Sequence, residues 1–296
     1  MTSTPITSPI YIEPRVEHVG DRPIGLPLDC AGATSIGLHR RSNEDHFAVA
    51  LLERSLEVAS TSLDAPPQAR REIGLLLAVA DGMGGHAAGR TASRIAVQAV
   101  IELVAGVAWQ RDGRRLCELL AQCFAEAERR LHEDGQAHPD RQHMGTTLSV
   151  ALVRWPRLYI AHAGDSRCYL LRDSKLELLT RDHTFATQLI ERGVIDSESA
   201  ERSPMRNVLV NALGGNSEDV RTETSMHDLR DGDVLLLCTD GVSGQVSERS
   251  ITEILSSAGD PGTASEKLVA AADEAGGVDN ATAVVAIRLG PQGRTH

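Results

Sequence analysis

An α+β fold, with antiparallel sheets covered by helices, is what this 296-residue chain predicts, and three observations carry the expectation. Short apolar or alternating stretches arrive in runs instead of one at a time between helices. Two long segments with apolar residues every third or fourth position stand next to each other. Neither a strict strand-helix alternation nor a GxxxxGK[ST] loop occurs, which argues against a Rossmann-type or P-loop nucleotide site.

Taken in order, the first thirty residues hold five of the twelve prolines and no sustained periodicity. They read as a flexible Pro-rich tail, residues 1–30, before a single folded unit over 31–290. Strands are expected at about 31–38, 46–52, 73–80, 147–154, 157–163, 167–172, 176–180, 233–239 and 281–289. An exposed loop is expected from about Glu53 to Glu72, around Pro66-Pro67. The long helices fall at 88–108 and 113–134, the second through Leu116, Leu119, Leu120, Cys123, Ala127 and Leu131. Shorter helices fit 185–193, 249–257 and 262–275, the last two after Ser and Thr suited to capping.

Composition removes several function classes. A net charge of −11 and the lack of a basic stripe argue against a nucleic-acid surface. The longest apolar run, Ile95 to Trp109, is broken by Gln98, Glu102 and Gly106, so no membrane span is expected, and no signal-peptide pattern is visible. Five cysteines without CxxC spacing read as reduced thiols in the core. The expectation is a cytoplasmic monomer.

The chemistry concentrates where strands meet carboxylates. In "LLLAVADGMGG", "LYIAHAGDSR" and "LLLCTDGV" an apolar run stops at Asp81, Asp165 and Asp240; in "GGVDNATAVV" Asp279 precedes one, and in "RRSNEDHF" Glu44 and Asp45 do. Each alone reads as an ordinary turn. Together they are harder to leave unexplained, because a buried carboxylate costs several kcal/mol (about 3–5) unless it is paired or binds a cation. Nearby Lys and Arg are too few to neutralise all five sites. An oxygen-only set favours Mg²⁺ or Mn²⁺ over zinc. Gly82, directly after Asp81, would let its main-chain carbonyl approach the same ion, and Gly84-Gly85 would turn the chain into the next helix. Arg40, four residues before Glu44, offers a bidentate fork to a phosphoryl group.

R-x-x-N-E-D (Arg40 to Asp45), D-G-M-G-G-H (Asp81 to His86), M-G-T-T (Met144 to Thr147), G-D-S-R (Gly164 to Arg167), D-G-V (Asp240 to Val242) and D-N-A-T (Asp279 to Thr282) in this order resemble the PP2C-type, metal-dependent Ser/Thr protein phosphatases, most closely the bacterial stand-alone form. The resemblance implies a central β-sandwich of two antiparallel sheets flanked by pairs of helices. It further implies two Mn²⁺ or Mg²⁺ ions, with Asp81 bridging them, Asp45, Asp240 and Asp279 ligating, Gly82 giving its carbonyl and Glu44 acting close by. Asp165 matches a residue that helps hold a third, weaker metal, and Arg40 matches the phosphate-binding arginine. The stretch around 182–212 resembles a mobile flap beside the site. Phosphorylated Ser/Thr proteins, with a cognate kinase among them, are the implied partners. Some eukaryotic relatives carry His where this chain has Met83. His86 reads as exposed, and His162 as a packed core histidine.

Two rival readings are weighed. A regulator that kept the fold and lost catalysis would lack one or more of these acids, and none is missing. A metal-dependent nuclease is opposed by the acidic balance.

Overall fold

The computed structural model describes residues 28–56, 70–85, 87–215 and 220–288. Among them, numbered in chain order, strands β1 (Leu28–Ser35), β2 (His46–Leu56), β3 (Arg70–Ala80) and β4 (Gly82–Met83) come first. Helices α1 (Ala87–Val107) and α2 (Gly113–Ala137) follow. Next are β5 (Gly145–Thr146), β6 (Leu148–Arg154), β7 (Arg157–Ala163), β8 (Arg167–Arg172) and β9 (Lys175–Leu178), then the short helices α3 (Phe185–Glu191) and α4 (Ser197–Glu201). The chain closes with β10 (Leu213–Gly214), β11 (Glu223–Asp228), β12 (Val234–Cys238), α5 (Asp240–Ser243), α6 (Glu248–Ser257), α7 (Pro261–Glu274) and β13 (Ala281–Arg288).

Two five-stranded antiparallel sheets, ordered β1-β13-β12-β8-β9 and β11-β7-β6-β3-β2, pack face to face, and a small sheet β10-β5-β4 sits beside them. Leu75, Leu77 and Val79 of β3 pack with Leu170, Leu235, Leu237 and Val284 between the sheets. Alternate residues Leu76, Ala78 and Ala80 face α1 and α2, where Ala92, Ala96, Val100, Leu120 and Phe124 meet them. On the far side Leu236, Cys238 and Val285 pack under Ile251, Leu255, Leu268 and Val269 of α6 and α7. Four layers, helix-sheet-sheet-helix, result. Strands buried on both faces need apolar residues at every position, which is why "LLLAVA" shows no alternation.

The α+β sandwich flanked by helix pairs is therefore the observed fold, with revisions at the edges. Strand β1 reaches back to Leu28, inside the stretch expected as tail, and pairs with β13 from Leu28↔Arg288 to Ser35↔Ala281. Residues 1–27 lie outside the described residues. The loop expected from Glu53 to Glu72 is shorter, since β2 and β3 continue as a ribbon to Leu56↔Arg70. Glu53, Arg54 and Ser55 are exposed there, so no hydrophobic pattern announces the strand. Pro66 and Pro67 lie outside the described residues. β11 went unanticipated for a similar reason: it is an edge strand, pairing β7 alone, and only alternate residues are half-buried.

Ser247 caps α6 as expected, its hydroxyl accepting from Ser250 N at 3.2 Å. The cap of α7 is Asp260 and not a threonine; its carboxylate takes both the N–H and the hydroxyl of Thr263. The five cysteines are free thiols. No helix among the described residues is long and apolar enough to cross a membrane.

Candidate metal centre

The acids meet at one rim of the sandwich. Asp81 leaves the end of β3, Asp165 follows β7, Asp240 follows β12, Asp279 precedes β13, and Glu44 and Asp45 precede β2. The structure thus brings together the positions singled out in sequence. Asp45, Glu44 and Asp165 are buried, and Asp81, Asp240 and Asp279 are half-buried.

Each acid is held by neighbours from another element. Oδ2 of Asp45 accepts from Thr239 Oγ1 at 2.8 Å and Thr282 Oγ1 at 2.6 Å, both on the opposite sheet. Asn280 staples the Arg40 loop: its amide donates to Ile36 O and Ser42 O, and its Oδ1 accepts from Glu44 N at 2.8 Å. The Glu44 carbonyl accepts from Ser93 Oγ of α1. The Asp81 backbone is fastened by M-G-T-T: its N–H donates to Thr147 Oγ1 at 2.9 Å, and its carbonyl accepts from Thr147 N and Thr146 Oγ1. Thr147, Thr282 and Asn280 stood inside the sequence motifs without an assigned task. Thr239 and Ser93 carried no signal at all, because their role exists only once the layers are stacked.

Gly84 and Gly85 turn the chain into α1 with φ of 116° and 88°. The structure gives Gly82 a different physical reason from the one read in sequence. A Cβ there would lie 2.1 Å from Gly89 O and 2.7 Å from Glu44 O, so the glycine is required by α1 pressing onto β4. His86 lies outside the described residues. His162 is a packed core histidine, as expected, with Nδ1 on Ser149 Oγ at 2.8 Å and Nε2 near Arg181 O.

Like charges in a dry rim resist ionising. Burial first, then Asp45, Asp240, Asp165 and Asp279, push the Asp81 carboxyl well above the usual carboxylate range. Burial raises Asp45 to about 7, against two threonine hydroxyls that favour its charged form. Burial and Asp240 raise Asp165, and burial and Asp279 raise Asp240. Asp45 Oδ1 and Asp240 Oδ1 are buried without any partner. Among the described residues no three His, Cys, Asp or Glu side chains converge closely enough to hold a metal ion as they stand. Two orphan oxygens and an all-oxygen donor set are nevertheless what hard divalent cations would satisfy. The residues fit Mg²⁺ or Mn²⁺.

Arg40 is half exposed and donates from Nη2 to Asp279 Oδ2 at 2.6 Å, covering an acid that is partly open to solvent. From Asp165, Asp240 and Asp279 a cleft of about 760 Å³ runs outward between α3 and α4 on one wall and Gly241 to Glu248 on the other.

Residues 64–271 match the family model described as Protein phosphatase 2C. The chain is 38% identical over 211 residues to the serine/threonine protein phosphatase PstP of Mycobacterium tuberculosis, covering 71% of this chain and 40% of that protein. To the serine/threonine phosphatase stp of Listeria monocytogenes it is 33% identical over 213 residues, covering 72% of this chain and 84% of the relative. A solved structure of the catalytic domain of PstP in complex with 2 manganese ions superposes with a TM-score of 0.69 at 34% identity, over 88% of this chain and 97% of that one. Fold, rim and relatives agree, and the chain belongs to the protein phosphatase 2C family. It spans less than half the length of the mycobacterial relative and most of the Listeria one.

Proposed function

We propose that this protein hydrolyses phosphoserine and phosphothreonine on proteins with the help of Mn²⁺ or Mg²⁺. The observation that carries the reading is a set of buried and half-buried carboxylates from five separate segments, gathered at one rim with two oxygens left unpartnered. Asp81, Asp45, Asp240, Asp279 and the Gly82 carbonyl would hold two ions, with Glu44 beside them and Asp165 at a third, weaker place. When bound, such ions supply Lewis-acid activation of water and offset the charge of the phosphoryl oxygens.

The chain's own residues do the rest. Thr239 and Thr282 aim Asp45, so its free oxygen is presented in one orientation. Asp279 holds the Arg40 guanidinium at the mouth of the site, where it can turn its remaining donors to a phosphate. No nucleophilic Cys or Ser motif is present, so no covalent phosphoenzyme is required. The cleft beside the flap, residues 182–212, is open to solvent, and the apolar flap residue Ile190 is exposed along it. The substrate is taken to be phosphoproteins, a cognate kinase included, acted on by a cytoplasmic monomer.

The test is hydrolysis of a chromogenic phosphate ester and a phosphothreonine peptide as Mn²⁺ is titrated. Turnover that appears with the metal and vanishes on chelation is expected. No turnover at any metal concentration would identify a regulator that kept only the fold.

A further inference from the structure

We propose that His183 is a positioning residue that locks the flap to the turn carrying Asp165; the inference rests on the reading of Asp165 as part of the metal centre. The His183 side chain is almost fully buried at 6% exposure. Its Nδ1 accepts two hydrogen bonds, one from Gly164 N at 3.1 Å and one from Asn211 Nδ2 at 2.8 Å. The Asn211 amide is oriented independently, since its Oδ1 accepts from Arg221 N at 2.9 Å. A ring nitrogen that accepts carries no proton, so the proton sits on Nε2, which faces Glu223 Oε1 at 3.3 Å.

The backbone repeats the arrangement. His183 N donates to Gly164 O at 2.8 Å and Val210 N donates to His183 O at 2.9 Å, while the next residue, Thr184, caps α3 and bridges to Leu209. One residue therefore binds Gly164 on both its N–H and its carbonyl and binds the returning end of the flap on both its ring and its carbonyl. A histidine that only filled space would leave those donors to other partners.

Gly164 lies tight against Thr147. It sits at φ 118°, and a Cβ there would lie 2.6 Å from Thr147. From the turn the bonds continue inward: Ser166 Oγ meets Thr147 Oγ1 at 2.7 Å, and Thr147 Oγ1 accepts from Asp81 N. The His183 ring also lies against His162, at 4.8 Å between centroids, and His162 is bonded to Ser149, whose hydroxyl donates to Ser166 O. A buried polar network resists rearrangement at any one member, so motion at the flap base is coupled to motion at Asp165. Ligand binding at one end must then be felt at the other.

Hydrogen exchange of the full chain, with and without Mn²⁺ alone, reads this directly. In the wild type Mn²⁺ should slow exchange both around Asp81 and Asp240 and across 184–210. In His183→Ala the slowing around Asp81 and Asp240 should persist while that of the flap falls by about tenfold or more. His183→Gln, which keeps an acceptor for Gly164 N, should restore part of it. Asn211→Ala, a milder cut on the flap side, should reduce the flap response even if His183→Ala folds poorly. A flap response in His183→Ala equal to the wild type, or a wild-type flap indifferent to Mn²⁺, overturns the proposal. No response around Asp81 and Asp240 in the wild type would overturn the metal reading and this one with it.

Discussion

Asp45 has one oxygen held by two threonines and one held by nothing, an asymmetry that, at the scale of residues, leaves a single aimed oxygen unpaired at the acidic rim. Replacing a buried acid by its amide should separate function from stability. Asp81→Asn or Asp240→Asn is expected to cut turnover by about 100-fold or more, because the loss falls on transition-state charge. In chelator the same variants should melt about 2–4 °C higher than the wild type, since like-charge repulsion is relieved. Arg40→Ala should raise KM several-fold with little change in kcat, as the guanidinium acts in binding; a fall confined to kcat would place it in the transition state. The acids themselves were legible because a charge at the end of an apolar strand is costly without a reason. Thr239 and Asn280 were not, because a Thr after a strand and an Asn in a turn look ordinary until the opposing sheet supplies their partners.

At the scale of elements, the helix-strand junctions at the rim leave no room for side chains. Gly241 has its hypothetical Cβ 1.9 Å from Asn280 O. Gly241→Ala should therefore destabilise by about 3 kcal/mol and lower Tm by about 6 °C or more, checked by thermal melts. β7 carries a second testable burden in His162, whose pKa burial and the neighbouring His183 lower to about 3. The unfolded chain, with a pKa near 6.5, takes up that proton first, so this contribution is complete above about pH 6.5. It is lost as pH falls toward 3, at about 1.4 kcal/mol per pH unit. Urea melts of wild type and His162→Gln should show the wild-type advantage shrinking over that window. The central strands and both long helices were readable from periodicity. The ribbon at Glu53 to Ser55 and the edge strand β11 were not, since strands wet on one or both faces are fixed by pairing and leave little hydrophobic pattern.

For the whole molecule, three separate apolar layers hold the scaffold while the acidic rim works against it. Cations that bind only the folded chain should stabilise it by about 2.7 kcal/mol at one hundred times Kd, raising Tm by about 5–10 °C, reversibly on chelation. A melting temperature indifferent to Mn²⁺ would mean that the rim does not take up metal. The arrangement of Asp45 carries one more consequence. This residue opens a strand of one sheet, yet its carboxylate is gripped by threonines from the other. The two halves of the sandwich are thus stitched across their greasy seam at the acidic rim, as they are at the far end where Arg172 of β8 donates to Asp228 O of β11. A sideways slip of one half past the other has to tear these bonds at the acidic rim, so the place proposed to hold metal is also one of the brakes on mechanical shear.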